Sequence, residues 1–185
     1  GTDQWLPYWT NGQVPLLGLV EAANATGSVQ SGMRAIIDDL MDYVLAHTNA
    51  TNGWIGPFVD EPGDNNGHGL WDPLNMLRSL LMYAEFRPDH EQAIATAVVA
   101  HLTEESKLLV HDPVIKWAQT RWPTFVEICQ YVVDYYVPKY GDKAEVMPLG
   151  SAETTQMLLN ASALFASKGM DWLSYYHRNG SLKFP

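Results

Sequence analysis

Residues 67–86 read Gly67-His68-Gly69-Leu70-Trp71-Asp72-Pro73-Leu74-Asn75-Met76-Leu77-Arg78-Ser79-Leu80-Leu81-Met82-Tyr83-Ala84-Glu85-Phe86, and their pattern decides the fold. A polar, tryptophan-bearing stretch ends at Asp72-Pro73, and an apolar segment follows at once. Leu74, Met76, Leu77, Leu80, Leu81, Met82 and Tyr83 leave only a thin polar strip, the composition of a helix buried on most sides. Pro73 suits a first helical turn, where its missing N–H is no loss, and Asp72 suits an N-cap.

The same transition occurs twice more. Trp5-Leu6-Pro7-Tyr8-Trp9-Thr10-Asn11-Gly12 runs into an apolar segment at Val14–Ala23. Trp117 through Thr120, then Arg121-Trp122-Pro123, runs into Phe125–Tyr136, whose apolar face is Phe125, Ile128, Cys129, Val132, Val133 and Tyr136. Each apolar helix has a more polar successor. Val29–His47 carries Met33, Ile36, Ile37, Leu40, Met41, Val44 and Leu45 at helical spacing, with Arg34, Asp38, Asp39 and Asp42 opposite. Arg87-Pro88-Asp89 breaks the second apolar helix, and Asp89 is placed to cap a helix from about His90 to Leu109. Pro138 to Gly150 interrupts the third, and Ser151–Ser167 supplies the last helix. No long alternating β-branched run signals a strand. The pattern predicts an all-α chain of three helical hairpins, inner helices alternating with outer ones as in a double ring. The apolar helices recur about every 50 to 60 residues, longer than common helical repeats of roughly 34 to 47. On that arrangement the three tryptophan-bearing openings share one rim, where helix N-termini favour anionic or hydrogen-bonding groups.

Composition narrows the partners. A chain of 185 residues that is 46% hydrophobic can bury a substantial core as one domain. Every apolar run is far shorter than the roughly 20 residues of a membrane span. The net charge of −10, with 11 scattered basic residues, argues against nucleic acid. Lone Cys129 excludes an internal disulfide and a multi-cysteine zinc site within the segment. Asn24-Ala-Thr, Asn49-Ala-Thr, Asn160-Ala-Ser and Asn179-Gly-Ser are N-glycosylation acceptors. Nine Asn against 20 Ser and Thr in 185 residues give about one such match by chance, so four predict a secreted or cell-surface eukaryotic glycoprotein. No basic, apolar signal peptide opens the chain, which is expected to be a processed or partial product.

Residues 51–73 form the longest irregular stretch, and loops beyond roughly 12 to 15 residues are usually functional or disordered. Trp54, Phe58 and Trp71 within it argue against disorder. His68 and Asp72 are candidates to hydrogen-bond sugar hydroxyls while Trp54 or Trp71 stacks on the sugar ring. Capping by Asp72 and an ordinary loop role for His68 are the competing assignments. Asp60, Glu61, Asp64, Asn65 and Asn66 offer oxygen ligands, but their spacing does not reproduce a helix-flanked calcium loop. Arg121 beside Trp122 fits either a cation held against an indole in a site or a surface Arg packing its stem. Trp9 and Asn11 share that ambiguity. Cys129 reads as a buried, inert thiol. His47, His90, His101, His111 and His177 show no close metal spacing and read as surface or packing residues.

Pro7-Tyr8-Trp9-Thr10-Asn11-Gly12-Gln13-Val14-Pro15-Leu16, Trp54-Ile55-Gly56-Pro57 and Gly67-His68-Gly69-Leu70-Trp71 together resemble β-L-arabinofuranosidase-like proteins, glycoside hydrolase family 127 and its relatives. Arg121-Trp122-Pro123 and Tyr140-Gly141-Asp142 look like that family's hairpin boundaries. The resemblance implies an (α/α)₆ toroid, of which three hairpins are half. This makes residues 1–185 one partial domain, completed by residues beyond Pro185 or by another chain. It also implies that His68 contacts substrate while Trp9, Asn11, Trp71, Arg121 and Trp122 line the cavity. The family's nucleophilic cysteine, its glutamate acid/base and its zinc site belong to the other half, so no cofactor is expected in this segment. The expected function is a secreted glycoside hydrolase acting on non-reducing-end sugars such as L-arabinofuranosides. A catalytically inert extracellular glycoprotein that keeps the toroid for carbohydrate binding or assembly is the alternative. An unrelated helical scaffold with core tryptophans is a third.

Overall fold

The computed structural model describes residues 28–56, 70–112, 114–115, 117–171 and 174. Five helices account for most of them: α1 (Ser28–Ala46), α2 (Asp72–Phe86), α3 (Glu91–His111), α4 (Trp117–Tyr131) and α5 (Ser151–Lys168). Helix α4 continues through a π-helical turn, Val132–Tyr136, into a last helical turn, Val137–Tyr140. Among the described residues there is no strand. The segment expected as the first inner helix, Val14–Ala23, lies outside them.

The helices stack in two layers. Helix α2 packs beside α4, while α3 packs beside α5 and touches α1. The hairpin pairs α2–α3 and α4–α5 join the layers. The all-helical architecture is as expected, with α2 beside α4 and α3 beside α5. Helix α2 is buried as its composition requires: Leu74, Met76, Leu77, Leu80, Leu81, Tyr83 and Ala84 are in the core, with Asn75 and Ser79 alongside them. The Ser79 hydroxyl returns a hydrogen bond to the Asn75 carbonyl at 2.9 Å, so it does not stand unsatisfied in the interior.

Three local expectations are corrected. Ile36 is 56% exposed, because the buried stripe of α1 runs through Ile37, Met41 and Val44 and leaves it aside. Asp89 does not cap α3; His90 holds the N-cap position, and the Asp89 carboxylate takes both Arg87 Nε (3.1 Å) and Arg87 Nη2 (2.9 Å). The third change is larger: α4 starts at Trp117, so Arg121-Trp122-Pro123 lies inside a helix and not in a segment leading to one.

Proline normally ends a helix because it strands the carbonyl four residues back. Here that carbonyl belongs to Gln119, and it accepts the Met170 N–H at 2.9 Å. The Met170 carbonyl in turn accepts the Trp122 indole N–H at 3.0 Å. The chain leaving α5 therefore fills the notch that Pro123 opens. It passes so close that a Cβ on Gly169 would lie 2.1 Å from Trp122 Cδ1. Gly169→Ala should cost about 1–3 kcal/mol of unfolding free energy, by forcing the indole aside. Gly32→Ala, in α1 with nothing within 4 Å of its added Cβ, should instead stabilise by about 0.5–1 kcal/mol. Denaturant midpoints of the two variants should move in opposite directions; equal shifts would refute the clamp.

Candidate functional site

The turn after α1 carries the first predicted site residue, Trp54. Asn49 organises this turn. Its N–H donates to the Trp54 carbonyl at 2.9 Å, its carbonyl accepts Gly53 N–H at 2.7 Å, and its side-chain Oδ1 accepts Thr51 N–H at 2.8 Å. Gly53 sits at φ 76° with Ala100 directly behind it, a position that both the backbone and the space reserve for glycine. The turn drives Trp54 into the core, where it is 1% exposed and its ring centroid lies 4.4 Å from that of His101. The expectation that Trp54 offers its face to a sugar is corrected by that packing.

His101 is the polar centre of this packing, and Glu105 lies one turn further along α3. Both side chains are fully buried. Ile55 N–H donates to His101 Nδ1 at 2.9 Å, which fixes the neutral imidazole with its proton on Nε2. That Nε2 lies 3.3 Å from Glu105 Oε2, and neither Glu105 oxygen has a hydrogen-bond partner. Burial lowers the His101 pKa to about 3 and raises that of Glu105 well above the usual carboxylate value. The pair is thus a neutral imidazole beside a neutral carboxylic acid. Because Nε2 is protonated, its lone pair is not free for a metal. Among the described residues no group of three His, Cys, Asp or Glu side chains could hold a metal ion. Sequence reasoning placed His101 among surface or packing residues and passed over Glu105. The available signal was their spacing: both fall on the apolar stripe of α3 with Val98, Leu102 and Leu109.

The other predicted residues that the structure describes are Trp71, Asp72, Arg121 and Trp122. Trp71 is half-buried against the core and occupies the N-cap position of α2. Asp72 is the first helical residue, so the cap role expected of it falls one residue earlier. Trp122 is engaged by Met170, and Arg121 lies half-buried on the same helical turn, its Nε without a partner. Trp9, Asn11, His68, Asn24 and Asn179 lie outside the described residues. Asn49 and Asn160 are both exposed. Cys129 is buried as expected, and burial pushes its thiol pKa up.

A cleft among the described residues lies between α2 and α4 and has a volume of about 280 Å³. Arg78, Leu81, Met82 and Glu85 line it from α2; Glu127, Ile128 and Tyr131 line it from α4. Arg78 Nη2 stands 3.5 Å from Glu127 Oε1, and both side chains are more than half exposed. The π-helical turn brings Tyr136 under Tyr131, five residues apart, with centroids 5.5 Å apart at 88°. An aromatic edge, an apolar floor and three charged groups thus converge on one groove, a combination suited to a polar ring compound.

The buried pair makes a pH-dependent prediction. A raised folded pKa at Glu105 contributes stability that is present below about pH 4.5 and lost as pH rises toward the folded value. His101 acts oppositely, losing its contribution as pH falls from about 6.5 toward 3. Glu105→Gln, which cannot ionise, should therefore match the parent near pH 4.5 and exceed it increasingly at higher pH. Denaturant unfolding across that range would detect the trend, and a variant that falls further behind as pH rises would refute the neutral-acid assignment. Comparison with protein-family models, with curated proteins and with solved structures finds no match to this chain.

Proposed function

We propose that this chain binds carbohydrate, as the substrate-binding arc of a secreted, glycoside hydrolase-like protein built from helical hairpins. The observation that carries this reading is the α2–α4 cleft. Its lining combines Tyr131 with apolar Leu81, Met82 and Ile128 and with charged Arg78, Glu85 and Glu127. A sugar needs that combination: an aromatic or apolar surface for its C–H face and charged hydrogen-bonding groups for its hydroxyls. The site is thereby moved from the tryptophan rim to α2 and α4.

The glycosylation acceptors support the secretory part of the reading. Asn49 and Asn160 are exposed, and each uses its Oδ1 as an acceptor, from Thr51 N–H and from Gln156 Nε2 respectively. Their Nδ2 atoms, the ones a glycan would occupy, point away from those bonds. Among the described residues no helix is long and apolar enough to cross a membrane.

One observation favours the inert alternative over catalysis by this segment. Glu85 and Glu127 are both exposed, in a cleft that does not exclude water from them. Binding without turnover by this chain alone is the expected behaviour.

Titration with arabinofuranosyl oligosaccharides and other glycans tests the site. Tyr131→Leu, which keeps the apolar volume, should weaken binding about tenfold. An unchanged affinity would remove the cleft from consideration, and hydrolysis of aryl arabinofuranosides by the isolated chain would overturn the inert alternative. Enzymatic release of N-glycans from naturally produced protein should convert Asn49 and Asn160 to Asp, read by peptide mass; unmodified asparagines at both would reject the secretory assignment.

A further inference from the structure

The charges in the cleft discriminate among sugars. Arg78 is its one cation, and its guanidinium is directed to Glu127. Glu85 has no ion-pair partner among the described residues. Two carboxylates against one guanidinium leave the groove net negative, in a chain whose net charge is already −10. Burial raises the Tyr131 hydroxyl pKa first, Glu85 raises it further, and the ion-paired Glu91 and Lys139 act on it in opposite directions. An anionic sugar would meet repulsion from Glu85, a neutral one would gain nothing from its charge, and a cationic one would pair with it.

Resting on the carbohydrate reading above, the geometry points to an amino sugar, a pyranose bearing a protonated amine, as the ligand of the α2–α4 cleft. The ammonium group pairs with Glu85, the C–H face of the ring lies on Tyr131 and Met82, and the Arg78–Glu127 pair receives hydroxyls. The ammonium–carboxylate contact is charge-assisted and semi-exposed, so it adds selectivity more than affinity.

The test is calorimetric titration of the full chain at low salt with glucosamine oligomers, their N-acetylated counterparts and uronic acid oligomers. The expected result is preference for the free amine by about fivefold over the N-acetylated form, with the uronic acid weakest. In Glu85→Gln, an exposed change whose far-UV spectrum should match the parent, that preference should vanish, the free amine binding no more tightly than the N-acetylated form. Equal affinity for the amine and its N-acetylated form, or a preference that survives Glu85→Gln, overturns the amino-sugar assignment and leaves the carbohydrate reading intact. Binding of n-hexylamine as tightly as the amino sugar overturns the assignment by showing that the ring contributes nothing. Failure of all three oligomer classes, together with the neutral arabinofuranosyl series, overturns both.

Discussion

Helix α2 has almost no side chain that it can leave in water, and the rest of the architecture answers to that. Its seven buried apolar residues, at about 1.5–3 kcal/mol for each large one removed from water, require neighbours on nearly every side. Helices α3 and α4 provide two of those neighbours, and α5 covers both of them in turn. The core of the described chain therefore grows outward from one helix. The strip of α2 that remains free is Arg78, Met82 and Glu85, spaced by four and then three residues on one face. The cleft follows that strip, so its position is a consequence of packing.

The element pattern was legible wherever local periodicity agreed with tertiary packing. Helices α1, α2, α3 and α5 fall within a few residues of their expected bounds, since apolar spacing and turn residues act locally. Helix α4 was not legible at its start. Pro123 looks like a boundary because its ring and missing N–H penalise the helix before it. What offsets that penalty is Met170, whose amide satisfies Gln119 from the far side of α5. The partner of the Trp122 indole lies 48 residues away, beyond the reach of any local rule. Gly169 was the only local trace of this contact, and a glycine just past a helix ordinarily signals nothing more than a C-cap.

Trp54 shows why the predicted site residues were hard to place from sequence. Tryptophans beside polar residues mark sugar sites, but a large aromatic is as useful in a core, and the choice depends on what faces it. For Trp54 the deciding groups are His101 and Ala100, on a helix that sequence reasoning treated as an outer, polar one. Conversely, the thin polar strip of α2 was noted and given no role. Its meaning depends on Glu127 and Tyr131 standing across from it, and only the packing of α2 against α4 shows that. The π-helical turn that sets Tyr136 beneath Tyr131 has no sequence signature short of the later Pro138.

The two environments of glutamate in this chain bear on what lies over the α2–α4 face. Glu105 is sealed in the core and is tolerated there as a neutral acid, since an isolated buried carboxylate would be far more costly. Glu85 and Glu127 are exposed. A protein segment packed directly over the α2–α4 face would desolvate both of them and Arg78, at several kcal/mol per ion, and a single guanidinium could compensate only one carboxylate. A cavity containing water or a hydroxyl-rich ligand avoids that cost, because each charge keeps hydrogen-bonding partners. Met82 and Tyr131, half-buried between the charges, then supply apolar surface to a ligand without demanding a dry interface. These charges therefore oppose dense packing of protein against the α2–α4 face.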